Sequence, residues 1–88
     1  MKERDSVLIK YAKASGAFEY AVYKFNKNKT EQNLQEAQSR INDLINRELP
    51  AVKDYCQQHA GEEGIDSLLN IADTDCKAMQ YVFKNLKI

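Results

Sequence analysis

The 88-residue sequence has little that interrupts regular secondary structure, since it holds one proline and three glycines. So few breaking residues favour long regular elements over a turn-rich β fold. No apolar run approaches the length of a signal-peptide core or a membrane span, and residues 1–5 alternate in charge. These absences predict a soluble, cytoplasmic protein without a membrane partner.

Cysteine is also scarce, with only Cys56 and Cys76 and no Cys-x-x-Cys pair. Such usage fits a reducing compartment, where buried thiols act as small apolar side chains. A helical hairpin folded near residue 62 or 63 sets Cys56 level with residue 69. Cys76 then lies ~10 Å further along the helix, too far for a disulfide. We expect both cysteines to be reduced core residues.

Residues that could carry chemistry are few. Cys56 and the only histidine, His59, lie one helical turn apart, but two ligands do not make a metal site. Cys76 or acids from the stretch Glu62, Glu63, Asp66, Asp73 and Asp75 would have to converge on them, and that stretch lacks the glycine and spacing of a calcium loop. No third residue orients His59 as a base for Cys56. We therefore expect no metal, no cofactor and no enzymatic activity.

The length leaves room for one domain, because a chain of this size buries only about 60–65% of its unfolded surface. We expect residues 1–88 to form a single helical domain without a deep active-site cavity. The formal net charge is zero. Residues 1–30 are nonetheless clearly basic and residues 31–88 equally acidic. Overall neutrality argues against a protein whose main task is to coat nucleic acid, although a local basic face is compatible with it.

Apolar periodicity predicts a first helix over residues 6–27. Its inward residues, spaced three and four apart, are Leu8, Tyr11, Ser15, Phe18, Val22 and Phe25. Polar residues 26–30 break the pattern. Asn28, with Glu31 three residues later, resembles a capping box, and Thr30 is a second candidate for the N-cap of the next helix.

A second helix is predicted from about residue 31 to His59. Its inward residues are Leu34, Ala37, Ile41, Leu44, Ile45, Val52, Tyr55, Cys56 and His59. Pro50 lies inside it and removes a backbone hydrogen bond, so the helix must be kinked or broken there. Leu49 is a poor N-cap for a new helix, which favours a kinked continuous helix; a break would give four helices in place of three.

Residues 60–64 form the clearest loop, with Gly61 suited to the left-handed position that ends a helix. Asp66 or Ser67 is expected to cap a third helix running to the C-terminus. Its broad inward stripe contains Ile65, Leu68, Leu69, Ala72, Cys76, Met79, Val82, Phe83 and Leu86. Asp75 interrupts this stripe. Either the stripe passes through Cys76 and leaves Asp75 at its margin, which we favour, or Asp75 meets a cation from another helix.

Short connections make successive helices antiparallel neighbours. The sequence therefore predicts an all-α protein, an antiparallel up-down bundle of three long helices with the second kinked at Pro50.

The outer face of the first helix is the candidate functional surface. This face consists of the helix position that points away from the core and the two positions beside it. Its lysines and tyrosines are Lys10, Lys13, Tyr20, Tyr23, Lys24 and Lys27. Tyrosine is enriched at interfaces, and lysines among aromatics suit an acidic protein or a phosphate backbone. A further row, Val7, Ala14 and Ala21, is small enough for another helix to approach closely. In a simpler interpretation, the tyrosines lie flat along the helix or under the third helix, and the lysines only solvate it.

Three hypotheses follow. The first is a non-catalytic interaction module, such as an adaptor, chaperone, inhibitor or immunity-type factor, that binds a protein partner or a second copy through this face. The second is a nucleic-acid-binding regulator that uses the basic face of residues 10–29. The third, a small metal-dependent or thiol enzyme, requires a bound metal or a reactive Cys56.

Overall fold

The computed structural model describes residues 3–88, with side-chain exposure described from Ser6 onward, and in this part of the chain all regular structure is helical. Helix α1 is Glu3–Lys27. Helix α2 covers residues 31–58 and consists of Glu31–Asp43, a π-helical turn Leu44–Glu48, and Leu49–Gln58. Helix α3 is Ile65–Lys84. The predicted all-α bundle of three helices is confirmed. Met1 and Lys2 of the charged N-terminal segment lie outside the described residues.

Thr30 is the N-cap of α2. Its side-chain oxygen accepts a hydrogen bond from the backbone N–H of Asn33 at 3.1 Å, which satisfies one of the free donors at the helix start. The capping box predicted at Asn28 is wrong. The Asn28 backbone N–H still bonds to the Lys24 carbonyl at 2.9 Å, so this residue completes the end of α1 instead.

The irregularity predicted at Pro50 is a π-helical turn that ends two residues before it. The backbone N–H of Leu49 donates to the carbonyl of Leu44, five residues earlier instead of four. A proline ring clashes with the carbonyl four residues before it, here that of Asn46, and a wider turn around Asn46 gives this carbonyl room. The second helix is therefore continuous, as favoured from the sequence, and the four-helix alternative is wrong.

Two glycines shape the connection between α2 and α3. Gly61 and Gly64 have φ values of 93° and 83°, a left-handed conformation that side chains with a Cβ rarely adopt. Gly61 follows the end of α2 as predicted. Gly64 takes the N-cap position of α3, so the predicted caps Asp66 and Ser67 are wrong.

Helix α3 ends before the C-terminus. Asn85 follows its last residue and donates a side-chain hydrogen bond to the Tyr81 carbonyl at 2.7 Å. A short polar side chain that bonds to the preceding turn competes with further helical bonds. The predicted extension of α3 to the C-terminus is therefore wrong by the last four residues.

The core forms where the three predicted stripes meet. Its buried apolar residues are Phe18, Ala21, Phe25, Ala37, Ile41, Leu44, Leu49, Val52, Tyr55, Cys56, Ile65, Ala72, Cys76 and Met79. Both cysteines are free and buried, as expected. Asp75 is exposed beside the buried Cys76, which confirms that the stripe leaves Asp75 at its margin.

The helices do not pack evenly against one another. The backbones of α1 and α2 run close together, whereas those of α1 and α3 hardly approach, although α3 packs on α2. The resulting body is long and thin, measuring 45 × 24 × 17 Å. Within the described residues, no helix combines the length and the apolar character needed to cross a membrane. The uneven packing leaves open surface along α1, where the candidate site lies.

Candidate interaction surface

The two tyrosines of the predicted site are exposed. Tyr20 is 61% and Tyr23 57% accessible, so neither ring is covered by α3 or buried in the core. Both follow from helical periodicity, because Phe18, Ala21 and Phe25 turn inward and leave Tyr20 and Tyr23 on the opposite side. The outer face of α1, defined by Lys13, Tyr20, Tyr23, Lys24 and Lys27, therefore presents two aromatic rings to solvent.

Lysines of the following turn lie against these rings. The Lys24 ammonium is 5.0 Å from the Tyr20 ring centroid, and that of Lys27 is 5.5 Å from the Tyr23 centroid. The two rings are nearly parallel, at 13°, with centroids 6.3 Å apart. Each tyrosine thus forms a cation–π pair four residues along its own helix. These pairs lay the rings along the helix, as the simpler interpretation holds, and favour this orientation by about 0.5–1 kcal/mol each.

Lys24 has a second contact. Its ammonium forms an ion pair with Glu36 of α2, and both side chains are about one-third accessible. Lys24 therefore links the outer face of α1 to α2. Lys13 and Lys27 are exposed and form no ion pair with a described residue.

Lys13 lies about two turns before Tyr20 on the outer face, and together with Lys10 it also borders a groove between α1 and α2. This groove, of 350 Å³, is lined by Lys10, Lys13, Ala14, Ala17, Arg40, Asp43, Arg47 and Glu48. The small alanines of α1 leave the space. Of the six predicted residues, Lys10 thus lies beside this groove, Lys13 belongs to both the groove and the outer face, and the other four belong to the outer face.

Sequence reasoning missed the two arginines of the groove. Arg40 and Arg47 are seven residues apart, which places them on one side of α2, and this spacing is the signal that could have found them. Arg47 contacts the buried Glu48 at 3.2 Å and approaches Asp43 at 3.9 Å. Arg40 forms no ion pair with any described side chain.

The small-residue row Val7, Ala14 and Ala21 is occupied by the chain itself. Ala21 is 1% accessible, and Val7 and Ala14 are partly buried against the core cluster. Small side chains let two helices approach closely, and α2 uses this row for that purpose. The row therefore lets another helix approach closely, as predicted, and that helix is α2 of the same chain.

On the other side of α1, long side chains bridge the distance to α3. The Tyr11 hydroxyl donates to the Ala72 carbonyl at 3.3 Å and lies 3.7 Å from the Cys76 sulfur, and the Ser15 hydroxyl lies 3.5 Å from the Met79 sulfur. Burial, followed by the hydrogen bond with Cys76, raises the pKa of Tyr11 far above its usual range. The packing of α1 against α3 therefore favours the neutral form of Tyr11.

No hydrogen bond joins Cys56 to His59 in the part of the chain that the structure describes. Cys56 is 3% accessible, and burial, with a smaller effect of Asp66, raises the pKa of its thiol. His59 stacks on Tyr55 with ring centroids 4.3 Å apart and pairs with Glu62. A buried thiol with a raised pKa is a poor nucleophile. No three metal-ligating side chains converge anywhere in the part of the chain that the structure describes.

Another surface groove, of 640 Å³, lies beside Cys56 between the end of α2 and the start of α3. It is lined by Lys53, Cys56, Gln57, Ala60, Ile65, Asp66, Leu69, Asn70 and Asp73. At its edge Asp73 contacts Lys77 at 3.1 Å and Lys53 at 3.7 Å, and these contacts lower the pKa of its carboxyl. The charges at this edge are thus already paired within the chain.

No protein-family model matches the chain, and neither a curated protein nor a solved structure is significantly similar to it.

Proposed function

We propose that this protein is a non-catalytic interaction module that binds a protein partner carrying acidic side chains through the outer face of α1. The observation that carries the proposal is the pair of more than half-exposed tyrosine rings, each held by a lysine of the next turn. Rigid aromatic rings bury large contact area at low entropic cost, and they are enriched among residues that dominate binding energy.

Charge supports an acidic partner. Lys13 and Lys27 flank the rings without ion pairs to described residues, so their charges are free to meet carboxylates. Such contacts speed association and select partners more than they add affinity. The buried, reduced cysteines support a cytoplasmic location for this binding, since reducing compartments keep thiols free.

The test replaces both rings at once. The native partner is captured from the source cells with the wild-type protein, identified by mass spectrometry, purified, and titrated calorimetrically. The Tyr20→Ala/Tyr23→Ala variant should bind it at least about tenfold more weakly, because truncating a central aromatic typically costs more than about 1.4 kcal/mol.

Tyr81→Ala is the matched control, because Tyr81 is 70% accessible but lies on α3. Its affinity should equal that of the wild type. The melting temperatures of all three proteins should agree within a few degrees, because exposed substitutions change stability little. Equal affinity of the double variant, or its marked destabilisation, contradicts the proposal.

A second candidate function is binding of nucleic acid, favoured by Arg40 and Arg47, which join Lys10 and Lys13 around one groove. Affinity for a duplex or single strand should then fall steeply with salt, because each neutralised phosphate releases a counterion. A mobility-shift series in increasing salt, with Arg40→Gln as the variant, tests this candidate. This candidate is eliminated if the nucleic acid shows no mobility shift, or if neither salt nor the Arg40→Gln substitution reduces the shift.

A further inference from the structure

An apolar groove lies open between α1 and α3, on the side of α1 away from α2. We call it the α1–α3 seam. The seam has a volume of 280 Å³ and is lined by Phe18, Glu19, Val22, Ala78, Met79 and Val82. Phe18 and Met79 are core residues that form its inner part, while Val82 is 42% accessible. The seam exists because the α1 and α3 backbones hardly approach each other, so the outer side chains leave space between them.

Acidic side chains border this seam. Glu19 lines it from α1, and a smaller groove continuing from it joins Glu19 and Ser15 to Asp75, Ala78 and Met79 of α3. Glu19 and Asp75 are exposed and make no ion pair with described side chains. An apolar groove with an acidic border suits a helix that carries a bulky ridge flanked by cations.

The chain itself presents such a helix. The outer face of α1 carries Tyr20 and Tyr23 as a ridge, with Lys13 and Lys27 beside them. We propose that a second copy of this chain is the partner: the outer face of each α1 lies in the α1–α3 seam of the other. This inference rests on the proposed function, because it takes the same face of α1 as the binding surface and names what it binds.

The two surfaces lie close enough together for one symmetric contact. Glu19 of the seam and Tyr23 of the outer face are four residues apart in the same helix, which makes them neighbours on its surface, so both surfaces border the same edge of α1. A two-fold axis across that edge places tyrosines and lysines of each copy against the apolar and acidic seam of the other. The formal net charge of zero adds no overall repulsion between copies.

The first test measures the oligomeric state by sedimentation velocity from about 5 to about 500 µM protein, because dimer formation follows mass action. Wild type should change from monomer to dimer in this range. Val82→Asp places a charge in the seam and should weaken association at least about tenfold. Tyr81→Asp, on the neighbouring and more exposed residue outside the seam, should not weaken it. Circular dichroism should show both variants folded.

The second test exchanges the charges of the two surfaces. Glu19→Lys/Asp75→Lys makes the seam basic, and Lys13→Glu/Lys27→Glu makes the outer face acidic. Each variant alone should remain monomeric, because its two surfaces then carry like charge. Their equimolar mixture should dimerise, because each copy meets the opposite charge on the other.

A monomeric wild type over the whole range overturns this inference, as does a dimer that Val82→Asp leaves intact or a mixture of the charge variants that stays monomeric. The proposed function fails separately. If the protein is monomeric but still binds a different acidic partner through Tyr20 and Tyr23, the proposed function stands. Only the inference that the partner is a second copy is then excluded.

Discussion

The two sides of α1 differ in how they meet the rest of the molecule. Towards α2, α1 presents Ala14 and Ala21, and the two backbones run close together. Towards α3 it presents Tyr11 and Ser15, whose hydroxyls reach across a wider space, and further along the helix an open seam remains. The size of the side chains at each interface therefore sets how closely the helices approach.

The comparison shows where binding surface is available in a small bundle. On the side facing α2, which we call the closed side, the small-residue row packs within the fold, and the groove that remains there is lined mostly by charged side chains. The open side keeps apolar area, acidic border residues and, at its outer edge, exposed tyrosines. Substitutions matched across the two sides test whether this difference is as large as the packing indicates.

The largest expected effect comes from enlarging an alanine on each side. Ala21→Leu should destabilise the protein by about 1–3 kcal/mol, because a buried, close-packed position has no room for three more carbons. Ala78→Leu, at an exposed position of the seam, should change stability by no more than about 0.5 kcal/mol. Urea unfolding of dilute protein measures both. Equal losses would show that the seam is packed as tightly as the α1–α2 interface.

A medium effect is expected from the hydroxyl that bridges α1 and α3. Tyr11→Phe should cost about 0.5–1.5 kcal/mol at neutral pH, because the bond to the Ala72 carbonyl is lost. The pKa of Tyr11 is raised in the folded state. The unfolded chain therefore loses this proton first as pH rises above about 10, and stability present below that pH is lost above it.

Unfolding curves from neutral to alkaline pH test this sign. Wild type should lose stability above the usual tyrosine pKa, and Tyr11→Phe should lose less. The raised pKa values of Cys56 and Cys76 act in the same direction in both proteins. Tyr81→Phe, at an exposed position, should behave as wild type. If wild type and Tyr11→Phe lost the same amount of stability at alkaline pH, the assignment of this loss to Tyr11 would be contradicted.

The smallest effect is expected from the ion pair at the edge of the closed side. Glu36→Gln should destabilise the protein by about 0.2–1 kcal/mol at low salt and less at high salt, because the Lys24–Glu36 pair is partly exposed. Glu19→Gln on the open side, where no described cation pairs with the carboxylate, should cost nothing measurable. A greater loss for Glu19 than for Glu36 would reverse the assignment of the two sides.

Much of the fold could be predicted because apolar periodicity reports which face of each helix turns inward. The stripes through Phe18, Ile41 and Cys76 are examples, and the left-handed turn at Gly61 follows from its lack of a Cβ. Pro50 marked the irregular part of α2. It did not indicate a wider turn before the proline, because that depends on which carbonyl each N–H can reach.

The candidate site was less predictable. Periodicity placed Tyr20 and Tyr23 outward, and both are exposed. It could not assign the row containing Ala21 to α2, because the pattern within one helix does not say which neighbour packs on which edge. For the same reason it did not bring Arg40 beside Lys10. Such pairings depend on the arrangement of three helices around one another.

The open side of α1, from its tyrosines to the seam, is the binding surface that we propose for this protein. The most direct measurement is a dilution series followed by NMR. As the protein concentration rises, the ring signals of Tyr20 and Tyr23 and the methyl signals of Val82 should shift together along one saturable curve. The methyl signals of the buried Ala21 and Ile41 should not shift. Shifts confined to another surface, or Tyr23 and Val82 signals that do not move with either concentration or an added acidic partner, would contradict the account.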